Sequence, residues 1–150
     1  MSRVQLALNV SDLDAAVEFY SRLFATAPAK RYPDYANFAI ADPPLKLVLI
    51  EKSDERAGGI TGALNHLGVE VETADEVART SARLTGEGLE TGEESGTTCC
   101  YALQDKVWVE DPDGNMWEVF VVKGEAASMH DDPKKTSAAC CAPSSLAERK

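Results

Sequence analysis

The chain has 150 residues, enough for one ordinary domain with its own hydrophobic core and no need of disulfide staples. Its 15 basic against 25 acidic side chains leave a net charge of -10, which repels phosphate backbones and anionic membrane surfaces, so nucleic acid and membrane are both excluded as expected partners. The N-terminal MSRVQLALNV lacks the basic start and apolar stretch of a secretory signal, and no run approaches about 18 apolar residues, which makes the cytoplasm the expected location.

Residues 4 to 10 alternate as a strand, with Leu6, Leu8 and Val10 on one face and Gln5, Ala7 and Asn9 on the other. A helix follows at once. Ser11 with Asp14 reads as its capping pair, and Leu13, Ala16, Val17, Tyr20 and Phe24 recur at helical spacing up to Ala27-Pro28. Strands are expected at 35–40 and 45–51, joined by a turn at Asp42-Pro43-Pro44.

The pattern then repeats. Residues 66 to 72 alternate like the first strand, and Thr73 with Glu76 caps a second helix carrying Val77 and Leu84. A shift of 61 residues superposes Leu6 on Leu67, Leu8 on Val69, Val10 on Val71 and Gln5 on His66. A Gly/Glu-rich stretch runs to Gly96, and strands are expected at 101–104 and 107–110. A tight turn at Asp111-Pro112-Asp113-Gly114-Asn115 precedes a last strand at 116–122. The expected fold is α+β, with two βαβββ modules, residues 3–51 and 65–122, whose sheets form a mixed cup within one domain, 1–122. Residues 123–150, rich in Ala, Ser, Lys and Asp, read as a flexible tail in which His130 is solvent-exposed.

Glu118 shares a strand face with Met116 and Phe120, and a carboxylate on an apolar row needs a cation or donors. The same alternation sends Gln5 and His66 to the face opposite the helix-facing rows, so all three project into the cup. An imidazole, a carboxylate and an amide oxygen make an N/O site suited to Fe(II), Mn(II), Ni(II) or Zn(II). A histidine that opens a strand is otherwise a hydrogen-bonded core residue, and Glu118 could instead face solvent.

The only four cysteines form two adjacent pairs, Cys99-Cys100 and Cys140-Cys141. Adjacent cysteines are poor disulfide partners for each other, and the cytosol keeps thiols reduced, which leaves soft-metal or metalloid binding as the natural use. The bland alternative for Cys99 and Cys100 is a buried hydrophobic couple.

The duplicated module, the paired positions Gln5 and His66, and the run Asp111-Pro112-Asp113-Gly114-Asn115-Met116-Trp117-Glu118 resemble the vicinal oxygen chelate superfamily of glyoxalases, extradiol dioxygenases and fosfomycin-resistance enzymes, over residues 3 to 122. The resemblance implies Gln5, His66 and Glu118 as metal ligands and catalytic residues. Leu47, aligned with Glu118 in the first half, stands where glyoxalases have a fourth ligand and cannot bind metal.

Thr97-Thr98-Cys99-Cys100-Tyr101 further resembles the branch of cadmium-induced proteins and arsenic-inducible carbon-arsenic lyases. That resemblance implies an Fe(II)-dependent dioxygenase, with Ni, Co, Mn or Zn as possible substitutes for iron and dioxygen as co-substrate. A trivalent organoarsenical would be the small-molecule partner, held by Cys99 and Cys100. Glycines 86, 88, 92 and 96 lead to the expectation that the segment before Cys99 moves as a clamp. Two alternatives stand beside this reading: a non-catalytic cadmium- or arsenite-binding detoxification protein, and another glyoxalase-like metalloenzyme. Monomer and homodimer are both compatible with it.

Overall fold

The computed structural model of the chain describes residues 2–52, 63–112 and 114–130. In chain order these form β1 (Arg3–Val10), α1 (Leu13–Leu23), β2 (Lys30–Tyr32), β3 (Tyr35–Ile40) and β4 (Leu45–Glu51). The second half supplies β5 (Leu64–Glu70), α2 (Ala74–Gly86), β6 (Thr91–Cys99), β7 (Ala102–Glu110) and β8 (Met116–Glu125). Each half is a βαβββ unit.

The strands make one eight-stranded mixed sheet in the order β2-β3-β4-β1-β5-β8-β7-β6. The halves therefore join edge to edge through β1 and β5, which run antiparallel, whereas β1 with β4 and β5 with β8 run parallel. Across the central pair Gln5 lies opposite Gly68 and Ala7 opposite His66. Gln5 and His66, equivalent by the repeat, are thus diagonal neighbours at the seam, close enough for long side chains to meet.

Both helices pack on one face. Leu13 and Val17 of α1 bury against Ala36, Phe38, Ile40, Leu47 and Leu49, with Leu6, Leu8 and Val10 around them. Val77 of α2 packs on Val107 and Val121. Helix α2 starts with the expected capping box, in which the Thr73 hydroxyl accepts from the Glu76 amide and the Glu76 carboxylate accepts from the Thr73 amide. Helix α1 departs from expectation. Its N-cap is Asp12, which accepts from the amide of Ala15, while Asp14 turns away to pair with Arg31.

Several boundaries also differ. The short β2 carries too few residues to show an alternation. Strand β7 is continuous through Asp105-Lys106, and β8 runs on to Glu125, so the sheet extends past residue 122. The Gly/Glu-rich stretch before Cys99 is the edge strand β6, paired with β7 and interrupted by a bulge between Glu94 and Thr97. An edge strand can be polar on both faces, which hides it from a search for apolar alternation.

Candidate metal and dithiol site

The face opposite the helices collects Gln5 and Ala7 from β1, His66 and Gly68 from β5, Gln104, Lys106 and Trp108 from β7, and Met116, Glu118 and Phe120 from β8. Gln5, His66 and Glu118 are all buried. Gln5 Nε2 lies 2.8 Å from Glu118 Oε1 and 3.1 Å from His66 Nε2, and His66 Nε2 lies 3.2 Å from Glu118 Oε1. The structure brings the three expected residues to one point from three strands.

That geometry fits a divalent cation. His66 Nδ1 is 2.8 Å from Asn65 Oδ1, and Asn65 Nδ2 donates to Asn9 Oδ1 at 2.9 Å. Because the Asn65 amide nitrogen is taken by Asn9, its oxygen faces the imidazole, so Nδ1 carries the proton and Nε2 keeps its lone pair. The bare Nε2 and the carboxylate oxygen are then two acceptors that converge on the Gln5 amide nitrogen, which donates to Glu118 Oε1, and a cation would take that donor's place. Gln5 would offer its oxygen after a half-turn of its amide, which leaves the shape of the site unchanged. No group of three or more His, Cys, Asp or Glu that could hold a metal gathers among the described residues, so the site depends on the Gln5 amide for its third donor.

Leu47 requires a correction. It points to α1 in the core, not into the cup. The register pairs Ala7 with Val48 and Gly68 with Glu118, and Ala7 and Gly68 are equivalent by the repeat, so Val48 occupies the position matching Glu118. A one-residue slip in a strand exchanges the two faces. Val48 is as unable to bind metal as leucine, so the protein ligands still number three at most.

Two groups were not legible as parts of the site. Lys106, 1% exposed, donates to Glu118 Oε2 at 2.6 Å and lies over the rings of Phe120 and Trp108. Burial pushes the Glu118 carboxyl upward, but the charge of Lys106 and its hydrogen bond to Oε2 outweigh it and hold the group well below the usual carboxylate range. Gly68 is the second. A Cβ there would stand 2.9 Å from Glu118 Cγ, so only glycine leaves the carboxylate its place. The signal for Lys106 was its spacing of two from Trp108, masked when Asp105-Lys106 was read as a break between strands.

Cys100 and Tyr101 form a two-residue hairpin turn between β6 and β7, closed by the pairing of Cys99 with Ala102. Cys100 (φ 55°) and Tyr101 (φ 59°) both adopt the left-handed region, the pattern of a type I′ turn usually given to Asn-Gly. Two side chains there cost about 1 kcal/mol or more each. The turn is held by docking onto the first half. Tyr101 stacks on Tyr32 at 3.6 Å between centroids, and its hydroxyl donates to Asp34. Lys30 donates to the Tyr101 carbonyl, and the Cys100 amide to that of Met129.

The two sulfurs lie 3.5 Å apart. A soft atom bonded to both at about 2.3 Å with a near-right angle would span about 3.3 Å, so the pair is spaced to chelate one atom. Cys99 is in disulfide form and Cys100 is a thiol, so a dithiol clamp requires reduction first. Cys140 and Cys141 lie outside the described residues. His130, expected in a solvated tail, is half-buried and forms a backbone bridge with Cys99.

Comparison with known proteins decides the family. Residues 3–119 match the model of the Glyoxalase/Bleomycin resistance protein/Dioxygenase superfamily. The chain belongs to this superfamily. Superfamily relatives include a trivalent organoarsenical cleaving enzyme of Thermomonospora curvata, 57% identical over 95% of this chain and 90% of its own length. The cadmium-induced protein CadI of Mycobacterium bovis is 59% identical over 89% of this chain and 85% of its own. Among solved structures, the Mn(II)-bound glyoxalase of Novosphingobium aromaticivorans has a TM-score of 0.57 at 18% identity, covering 89% of this chain and 44% of that one. An extradiol ring-cleaving dioxygenase from B. fuscum has a TM-score of 0.57 at 21% identity, covering 86% and 35%. These structures establish the superfamily fold. No helix among the described residues is long and apolar enough to cross a membrane.

Proposed function

We propose that the protein is an Fe(II)-dependent dioxygenase that cleaves the carbon-arsenic bond of trivalent organoarsenicals and releases arsenite. The observation that carries this reading is the 3.5 Å separation of the Cys99 and Cys100 sulfurs, with Cys100 packed against the Ala7 and Val48 cluster of the face that also holds Gln5, His66 and Glu118. The similarity to the organoarsenical cleaving enzyme of Thermomonospora curvata supports it.

A monosubstituted trivalent arsenical has two exchangeable oxygens and one carbon. Two thiols displace both oxygens as water, each giving its proton to a leaving hydroxyl, so the carbon-arsenic bond is the one left to react. Gln5, His66 and Glu118 would hold the iron, which when bound supplies dioxygen activation at open positions. Lys106 fixes Glu118 through Oε2 and leaves Oε1 for the metal. Trp108, packed edge-on to His66 at 5.3 Å, keeps water from the imidazole. The cysteine turn supplies proximity.

The stoichiometry closes without a further reductant. For a methyl substituent, the carbon-arsenic and oxygen-oxygen bonds break, carbon leaves as formaldehyde, and arsenic keeps a hydroxyl together with its two sulfurs. Carbon loses four electrons and dioxygen gains four. Two waters then release arsenite and return both thiols.

A second reading, sequestration of cadmium or arsenite by the dithiol alone, is favoured by the CadI similarity. The deciding experiment loads the reduced protein with Fe(II) and methylarsenite without air, then admits air and follows free arsenite. Release that needs both iron and oxygen, and is lost in Glu118→Ala and Cys99→Ser, supports the lyase. Binding through the cysteines with no release, and no effect of Glu118→Ala, leaves sequestration.

A further inference from the structure

Strand β7 runs from the cysteine turn toward the metal end, and its inner row is Ala102, Gln104, Lys106 and Trp108. Lys106 is engaged by Glu118 and Trp108 by His66. Gln104 has no such explanation. It is 3% exposed, its Nε2 donates to the carbonyl of Cys99 at 3.0 Å, and its Oε1 is buried with no hydrogen-bond partner among the described residues. Donation from Nε2 to the Cys99 carbonyl fixes the amide's orientation and leaves Oε1 as its open acceptor. A buried acceptor left unmet is a standing cost that a donor on a ligand would relieve.

We propose that Gln104 is a positioning residue that recognises an O–H group on arsenic held by Cys99 and Cys100. This rests on the dithiol reading above. Arsenic bound to two sulfurs and an organic group has no O–H to offer. The same arsenic after carbon has been replaced by oxygen, or arsenite bound to the pair, carries one. Gln104 therefore favours the oxygen-bearing state over the carbon-bearing one, the kind of difference in binding that assists a reaction rather than only substrate uptake.

The test needs no turnover. Reduced, metal-free, full-length protein carrying Cys140→Ser and Cys141→Ser, so that Cys99 and Cys100 alone bind, is titrated with arsenite and separately with phenylarsenite. Gln104→Met is expected to weaken arsenite about five- to tenfold more than phenylarsenite, the worth of one hydrogen bond. Gln104→Glu, which in protonated form keeps both the donor and the acceptor, is expected to restore the ratio. A parallel loss for both arsenicals would reduce Gln104 to a support of the Cys99 carbonyl, and an unchanged ratio without loss would remove it altogether; either overturns the proposal. If the parent binds neither arsenical, the dithiol reading falls and takes this inference with it. A shifted ratio in a protein that never cleaves its ligand would sustain the inference while ending the lyase reading.

Discussion

The ammonium of Lys106 donates to Oε2 of Glu118 at 2.6 Å, and the two groups are 1% and 3% exposed. A pair so deeply buried is costly to break from one side, because the surviving charge has lost both water and partner. It also takes up one carboxylate oxygen and leaves the other toward His66 and Gln5. Structural support and orientation of the site are therefore the same contact.

Replacing Lys106 by Met should lower the stability of the metal-free protein by about 3 kcal/mol or more. A divalent metal restores the missing positive charge, so its addition should raise Tm further in the variant than in the wild type. Thermal denaturation with and without Co(II) measures this. Equal increments in the two proteins would mean that Lys106 and the metal do not share Glu118.

Glu118 also sets an acid dependence. Its carboxyl lies below the ordinary value in the folded state, although burial pushes the other way, because the Lys106 ammonium holds it. Such a group stabilises the fold above the unfolded carboxylate value of about 4.3, and the contribution is lost as pH falls through the lower folded value. Wild type should exceed Glu118→Gln in stability at pH 7, with the gap narrowing below about pH 4. Urea titrations across that range would show the convergence, and a gap independent of pH would refute it.

Asn65 should act on the metal without touching it. Its bonds to His66 Nδ1 and Asn9 select the tautomer whose Nε2 is bare. Asn65→Leu should cost about 10- to 100-fold in metal affinity, and Asn65→Asp, which still accepts from Nδ1, should retain most of it. Spectroscopic Co(II) titration reads both variants. Equal affinity in the Leu variant would show that the imidazole is oriented by other contacts.

Gly68→Ala offers a steric test. The added methyl would meet Glu118 Cγ at 2.9 Å and the Glu118 carbonyl oxygen at 3.0 Å, so the carboxylate must shift. Alanine is otherwise better than glycine in a strand. Secondary structure should therefore survive while metal affinity falls at least about tenfold, since a ligand displaced by several tenths of an ångström no longer meets the geometry of the site. Undiminished affinity would imply that Glu118 has room the backbone does not suggest.

By itself the sequence determined what depends on local period and repetition. The alternation of Leu6-Leu8-Val10 and of Leu67-Val69-Val71 assigned faces, Thr73 with Glu76 marked a helix start, and the 61-residue shift aligned Gln5 with His66. An awkward Glu118 among Met116 and Phe120 pointed to the same face. Tertiary structure decided what depends on pairing between distant strands. Register moved the fourth position from Leu47 to Val48, and the seam of β1 and β5 made Gln5 and His66 neighbours. Edge strand β6 and the Cys100-Tyr101 turn have no apolar period to reveal them, because hydrogen bonding to β7 and docking on Tyr32 hold them in place. Lys106, Asn65 and Gln104 read as ordinary polar residues until burial removed their water and left them to partners within the protein.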